Sequence, residues 1–232
     1  MRFKLVVFDI AGTTLQDNEN DVSNAFCEAI ELHGMTVEPV SVKRVMGYKK
    51  SEAIRMLLDE QGIEYTSETI DKIHDRFLDI LNEHYKNADI SEIEGVSNLF
   101  RDLKKLGIHI ALNTGFSRST TDIIISRMGW LRDSLIDDLI ASDEVENGRP
   151  HSDMIKELAR RFDISDNSVI VKVGDTPSDL LEGRAAGCGL VVGVLYGTHS
   201  EQELEKFDHD VLISSPDELL QVMNEAEMPV NE

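Results

Sequence analysis

Cysteine is scarce in this 232-residue sequence, which contains only two. Cys27 and Cys188 lie far apart in the chain and take part in no CxxC or Cys/His spacing. That arrangement argues against a disulfide framework and against a structural zinc site. We therefore expect two reduced thiols that are buried in the core, as free cysteines commonly are.

Long apolar runs are also missing. After Arg2 and Lys4, the first apolar run, Leu5 to Phe8, is interrupted by Asp9. A run of that length is too short for the apolar region of a signal peptide. No other stretch approaches the roughly 18 consecutive apolar residues that a transmembrane helix needs. We therefore expect a cytoplasmic protein with no membrane partner.

Basic residues are few, with 23 Lys and Arg against 44 Asp and Glu, and the formal net charge is −21. No Lys/Arg run is longer than a pair, as at Lys49-Lys50, Lys104-Lys105 and Arg160-Arg161. So acidic a protein without a basic stripe repels nucleic acid and anionic membranes, and we expect neither as a partner. An anionic small-molecule substrate would need a locally positive site and a metal ion.

Apolar runs that end in small and polar residues alternate with helical patterns along most of the chain. The runs are Leu5–Phe8, Ile108–Leu112, Val169–Val173 and Leu190–Val194, and the apolar helical stripes fall at about 96–106, 123–128, 154–162 and 180–186. Continuous apolar runs are typical of buried parallel strands. Their alternation with helices predicts an α/β fold with a doubly wound, Rossmann-like parallel sheet.

One long segment shows helical periodicity only. From Val22 to Tyr85, apolar residues recur at helical spacing, as at Val22, Phe26 and Ile30. The pattern predicts an all-helical domain inserted after the first strand. We therefore expect a core domain formed by residues 1–16 and 93–232, and a helical cap domain formed by residues 17–92.

Polar residues follow the predicted strands at Asp9, at Thr114, in the loop 143–149, and at Asp175 with Asp179. In an open α/β sheet, ligands bind at the carboxyl ends of the strands, so these residues should converge on one crevice. A carboxylate there can act as a nucleophile. Two more can hold Mg²⁺, which prefers oxygen ligands. The small residues Gly12, Thr13 and Thr14 should expose backbone N–H groups that cradle phosphoryl oxygens.

The order of these motifs resembles the haloacid dehalogenase-like superfamily over nearly the whole chain. Asp9-Ile10-Ala11-Gly12-Thr13-Thr14 resembles its first motif, and 174–179 (GDTPSD) resembles its acidic metal motif. The resemblance implies that Asp9 is the nucleophile. It also implies that Thr114 and Gly115 bind the transferring phosphoryl group and that Arg149 balances the charge of nucleophile and phosphate. Mg²⁺ would then be bound by Asp9, the Ala11 carbonyl, Asp175 and Asp179.

Ala11 departs from most phosphatases of this superfamily, which have a second aspartate there as a general acid. Alanine cannot transfer a proton, so ordinary phosphomonoester hydrolysis would lack its usual acid. At this point the chain resembles the phosphonatase branch, the phosphonoacetaldehyde hydrolases, which cleave a C–P bond. The segment 46–50 (MGYKK) resembles that branch's Met-Gly-x-x-Lys motif. The resemblance implies that Lys50 forms a Schiff base with an aldehyde substrate, with Met46 and Gly47 beside it.

Three positions differ from the phosphonatase pattern. Ala53 replaces a histidine, Phe116 replaces a tyrosine, and Glu19 replaces a cysteine. Because these groups would assist proton transfer, two alternatives stay open: a phosphomonoesterase resembling phosphoglycolate phosphatase, and a binding protein without turnover. Lys50 could likewise form an imine, hold a substrate anion, or lie on the surface. The branch also implies a possible homodimer, and no sequence feature independently indicates one.

Overall fold

The computed structural model describes residues 2–17 and 21–227. A six-stranded, fully parallel sheet forms its centre, with the strand order β3-β2-β1-β4-β5-β6. The strands are β1 (Leu5–Phe8), β2 (His109–Thr114), β3 (Asp138–Ala141), β4 (Ile170–Gly174), β5 (Leu190–Val194) and β6 (Val211–Ile213). The predicted α/β fold class is confirmed, and the four predicted strands are β1, β2, β4 and β5.

Helices connect the strands and cover both faces of the sheet. They are α5 (Val96–Lys105), α6 (Arg118–Met128), α7 (Asp153–Arg161), α8 (Pro177–Ala186), α9 (Glu201–Leu204) and α10 (Leu219–Glu225). Helices α6 and α8 end at Gly129 and Gly187, whose positive φ angles suit a left-handed cap. Among the described residues, no helix is both long enough and apolar enough for a membrane crossing.

Between β1 and α5 lies the predicted helical insertion. It consists of α1 (Asp21–Glu31), α2 (Pro39–Arg44), α3 (Lys50–Glu60) and α4 (Ser67–Asn87). Apolar faces of these helices pack together, and the Phe26 and Phe77 rings lie 4.4 Å apart between centroids. The backbone N–H of Gln16 donates to the Ser91 carbonyl at 3.0 Å, so the chain leaves the core and returns to it at one place. The domain bounds at 17–92 stay a prediction.

The α2–α3 turn of the insertion rests directly on the carboxyl ends of the strands. Ser178, in the first turn of α8, donates from Oγ to the Met46 carbonyl at 3.3 Å. A Cβ atom on Gly115, after β2, would lie only 2.5 Å from the carbonyl oxygens of Gly47 and Tyr48. The insertion therefore covers the end of the sheet where the polar residues were expected to meet.

Candidate active site

The register of the central strands places the expected residues at one edge of the sheet. Phe8 on β1 pairs with Leu112 on β2 and with Val173 on β4. Asp9 therefore lies level with the ends of both neighbouring strands. One carboxylate oxygen each of Asp9, Asp175 and Asp179 lies within 4.8 Å of the others, and all three residues are buried. The expected convergence of loops from separate strands is present.

Arg149 reaches this cluster from the loop before α7. Its guanidinium is fully buried, and Nη1 lies 2.6 Å from Asp9 Oδ1 and 2.9 Å from Asp179 Oδ1. Its Nη2 donates to the backbone carbonyl of Asn113 at 2.6 Å, and its Nε to Glu182 at 3.0 Å. Contacts on three sides fix the plane of the guanidinium, so that one nitrogen points at the expected nucleophile.

The pKa values of the three aspartates indicate that the cations around them do not balance the negative charge of the carboxylates. Burial, only partly opposed by Arg149, raises the pKa of Asp9 above its usual value. Burial together with Asp9 and Asp179 raises the pKa of Asp175 to about 7. Burial also acts on Asp179, but Arg149 and Lys172 outweigh it and hold its pKa below the usual value. Arg149 alone therefore does not depress the pKa of Asp9.

The donor set suits a hard divalent cation. Four buried carboxylates, those of Asp9, Asp175, Asp179 and Glu182, face two buried cations, Arg149 and Lys172. Asp179 Oδ1 accepts no hydrogen bond of regular geometry among the described residues, although both cations lie 2.9 Å from it. Carboxylate oxygens are the ligands that Mg²⁺ takes in proteins. This buried acidic cluster could bind such an ion.

Gly12 and Thr13 lie behind Asp175 and do not face the cavity beside Asp9. Thr13 Oγ1 donates to Asp175 Oδ1 at 3.0 Å, and a side chain on Gly12 would collide with the same carboxylate. The N–H groups of Gly12, Thr13 and Thr14 donate to backbone carbonyls within 10–15. The expectation that they are free to cradle phosphoryl oxygens is wrong. These residues instead position a carboxylate of the acidic cluster.

A cavity of about 20 Å³ separates Asp9 from the helical insertion. Its walls include Asp9, Ala11, Met46, Gly47, Lys50, Thr114 and Gly115. All of these were predicted from the sequence to lie at the site. Thr114 is buried, and its Oγ1 accepts a hydrogen bond from the Phe116 N–H at 3.1 Å. So small a space holds about one water molecule, which means that the insertion is closed over the core.

Among the residues that the structure describes, Lys50 is the only lysine in the walls of that cavity. It is 3% exposed, and its Nζ lies 5.3 Å from the centroid of the Phe26 ring and 5.1 Å from that of Phe116. Burial lowers the pKa of Lys50 to about 8, although Asp9 acts in the opposite direction. The hypothesis that Lys50 lies on the surface is excluded. Lys49 points elsewhere and donates to the carbonyls of Val145 and Glu146.

Two of the three departures from the phosphonatase pattern lie close to Lys50. Ala53 is buried one turn further along α3, and the Phe116 ring contacts the ammonium group. Neither residue can donate or accept a proton at its side chain. Glu19, the third, lies outside the described residues.

Sequence reasoning missed three polar residues beneath the nucleophile: Asn113, Lys172 and Glu182. Lys172 Nζ lies 2.7 Å from Asn113 Oδ1 and 2.9 Å from Asp179 Oδ1, and all three missed residues are completely buried. A lysine inside the apolar run Val169–Val173 was the available signal, because an unpaired ammonium is very costly in a sheet core. Glu182 and Asn113 carried no comparable signal, since each sits in an ordinary helical or strand-end pattern.

Comparison with known proteins assigns the chain to one family. A family model for haloacid dehalogenase-like hydrolases matches residues 6–193. Phosphonoacetaldehyde hydrolases from Bacillus cereus strain G9842 and Bacillus thuringiensis strain Al Hakam are each 30% identical to the chain. Both alignments cover 90% of this chain and 83% of the relative.

Solved structures agree on the fold. A phosphonoacetaldehyde hydrolase-like protein from Oleispira antarctica superposes with a TM-score of 0.85 at 23% identity, covering 97% of this chain and 93% of its own. A structure described as a predicted phosphoglycolate phosphatase from Haemophilus somnus gives 0.77 at 20% identity, covering 96% and 99%. The chain therefore belongs to the haloacid dehalogenase-like hydrolases, within their phosphonatase-like branch.

Proposed function

We propose that this hydrolase is Mg²⁺-dependent and cleaves the C–P bond of a small phosphonate such as phosphonoacetaldehyde, with Asp9 as the nucleophile. Asp9, Asp175, Asp179 and the Ala11 carbonyl would hold the ion. When bound, Mg²⁺ supplies the positive charge that the cluster lacks and so keeps Asp9 ionised beside an anionic substrate. Support comes from the shared location of the three carboxylates and from the excess of buried carboxylates over cations.

The observation that carries the choice of substrate is the placement of Lys50. Its side chain is buried between two aromatic rings in the wall of the same small cavity as Asp9. A lysine with a lowered pKa supplies the neutral amine that attacks a carbonyl carbon. One substrate would then meet Lys50 at its aldehyde and Asp9 at its phosphorus. A C–P bond cleaved this way needs no acid at position 11, which fits Ala11.

In the proposed reaction, the Lys50 amine condenses with the aldehyde, releasing water and leaving a protonated imine. An Asp9 oxygen then attacks phosphorus, and the electron pair of the breaking C–P bond moves into the imine to give an enamine. The enamine takes up a proton at carbon, and water releases acetaldehyde and regenerates Lys50. A second water hydrolyses the aspartyl phosphate to inorganic phosphate.

Arg149, Thr114 and Gly115 would serve the phosphoryl group in this reaction. Arg149 already contacts Asp9, and Thr114, at the end of the neighbouring strand β2, lines the cavity. We propose that Arg149 orients the nucleophile and that the Thr114 hydroxyl donates to a phosphoryl oxygen. The insertion would act as a cap, with Met46 and Gly47 closing over the substrate and excluding bulk water. Because the closed cavity is only about 20 Å³, the cap must open to admit the substrate.

Borohydride trapping tests the proposal directly. Sodium borohydride added during turnover of phosphonoacetaldehyde should reduce the imine, and peptide mass spectrometry should find an ethylated lysine at position 50. Lys50→Arg keeps the charge but cannot form an imine, so it should show no adduct. Lys49→Arg is the matched control and should be labelled at Lys50 like the wild type. If the wild type releases phosphate but forms no adduct, the imine mechanism is contradicted.

A phosphomonoesterase is the second candidate. It is supported by the lack of proton-transferring side chains at two positions beside Lys50. Ala53 and Phe116 leave no side-chain proton donor at the two described positions where the resemblance places one. In that case Lys50 would hold a substrate anion as an ammonium group. Mg²⁺-dependent release of phosphate from phosphoglycolate, with kcat/KM above that for phosphonoacetaldehyde, would favour this candidate over C–P cleavage.

A further inference from the structure

Glu182 is a fourth buried carboxylate beside the acidic cluster, and the proposed reaction gives it no role. It is completely buried on α8, one turn after Asp179. Its Oε2 lies 3.0 Å from Arg149 Nε and 3.4 Å from Lys172 Nζ. Asn113 Nδ2 donates to both of its carboxylate oxygens at 2.9 Å. Four contacts therefore hold the Glu182 carboxylate in one orientation.

The two cations that Glu182 contacts are shared with Asp179. Arg149 Nη1 and Lys172 Nζ each lie 2.9 Å from Asp179 Oδ1. Asp179 Oδ2 accepts hydrogen bonds from the N–H and the Oγ1 of Thr176, so Oδ1 is the oxygen of this carboxylate that is left for a divalent ion. Without a negative charge at position 182, both cations would be attracted to Asp179 and Asp9 alone. They would then compete with the metal for the same oxygens.

We propose that Glu182 is a positioning residue that shares Arg149 and Lys172 with Asp179, weakens their attraction to Asp179, and thereby sets the metal affinity of the site. The inference rests on the proposed function only in that a divalent ion occupies the acidic cluster. Residues behind metal ligands commonly change metal affinity by about 10–100-fold when they are mutated. Glu182 acts through two cations, so we expect an effect in that range.

The test measures binding of Mn²⁺, as a probe of the Mg²⁺ site, to the full chain by electron paramagnetic resonance. Glu182→Gln should weaken Mn²⁺ binding at least tenfold. Glu157→Gln is the matched control, because Glu157 also pairs with two cations, Arg160 and Arg161, but on the surface. It should bind Mn²⁺ like the wild type. Equal affinity of Glu182→Gln and wild type, or no binding by the wild type, would overturn the inference.

A double variant separates this role from a merely structural one. In Glu182→Gln/Lys172→Met the competing lysine is gone, so Mn²⁺ affinity should recover most of the loss. A double variant no better than the single one would contradict the inference. If Glu182→Gln does not fold, the single variant Lys172→Met tests the inference. It should bind Mn²⁺ at least threefold more tightly than the wild type. Equal or weaker binding would overturn the inference.

Metal binding also separates this inference from the proposed function. Wild-type protein that binds Mn²⁺ with the predicted dependence on Glu182, but does not cleave phosphonoacetaldehyde, would support the inference. The same result would contradict the proposed substrate.

Discussion

At the scale of single residues, the site combines groups whose burial is costly. Lys50 has lost its hydration shell, and two aromatic faces replace it in part. Burial raises the pKa of Asp9 and of Asp175 in the same space. Such perturbed groups are typical of functional sites, where stability is given up for reactivity. The structure therefore predicts that some substitutions here stabilise the fold while they abolish the chemistry.

Lys50→Met should raise the free energy of unfolding at pH 7 by about 1–3 kcal/mol. Burial lowers the pKa of Lys50 from 10.5 to about 8, so below pH 8 a charged group is buried at a cost. As the pH rises through 8, the folded state loses its proton while the unfolded state keeps it, and the cost falls. The advantage of the variant should therefore be smaller at pH 9.5 than at pH 7. Urea unfolding at both pH values measures the difference.

The matched control for this prediction is Lys49→Met. Lys49 contacts two backbone carbonyls at the surface of the site, so its loss should bring no comparable stabilisation. A Lys50→Met protein less stable than wild type at pH 7 would show that the ammonium is paired in solution.

At the scale of elements, the α2–α3 turn of the insertion packs closely against the start of α8. Gly47 has a φ of +81°, and a side chain there would collide with Ser178 Oγ and lie 2.6 Å from Thr176 Oγ1. Gly115 lies equally close to the same turn from β2. Glycine at these positions allows the cap and core backbones to meet at the cavity wall.

Gly47→Ala should lower kcat/KM by about 100-fold or more, because displacement of catalytic groups by about 1 Å costs that much. Gly62→Ala is the matched control: Gly62 also lies in the insertion with a positive φ, of +64°, but nothing lies near its added Cβ. Both variants should lose about 1–2 kcal/mol of stability through the left-handed backbone. Steady-state kinetics and thermal unfolding measure the two effects. Similar loss of activity in both variants would show that backbone strain, not the cap contact, is responsible.

Most strands of the sheet could be predicted from the sequence. Strands β1, β2, β4 and β5 were predicted because they are buried on both faces and read as continuous apolar runs. The two remaining strands, β3 and β6, were not identified as apolar runs, although the loop 143–149 was expected to follow a strand; they lie at the sheet edges and have only four and three residues. Short edge strands carry little apolar periodicity, so the sequence offers no signal for them.

Site residues were predictable where position in the fold determines their role. Asp9, Thr114, Arg149 and Asp175 follow strands or lie in strand-end loops, so topology alone brings them together. The role of Gly12 and Thr13 could not be predicted, because it depends on the direction in which their N–H groups and the Asp175 carboxylate point. The aromatic contacts of Lys50 were equally hidden, since Phe26 and Phe116 come from distant parts of the chain.

At the scale of the whole molecule, the protein is acidic, and its buried acidic cluster lies where the helical insertion packs against the sheet. The net charge of −21 disfavours an approaching anion, and the buried carboxylates outnumber the cations that contact them. A bound divalent cation would counter both effects, because it would neutralise the cluster and attract an anionic substrate. Activity should therefore require Mg²⁺ and disappear when a chelator removes it.

The most direct test of the account is product release from phosphonoacetaldehyde in the presence of Mg²⁺. We predict that the wild-type protein releases phosphate and acetaldehyde in equal amounts, and that Asp9→Asn and Lys50→Arg release neither. A chelator should stop the wild-type reaction, and added Mg²⁺ should restore it. Release of phosphate from monoesters with no cleavage of phosphonoacetaldehyde would contradict the account.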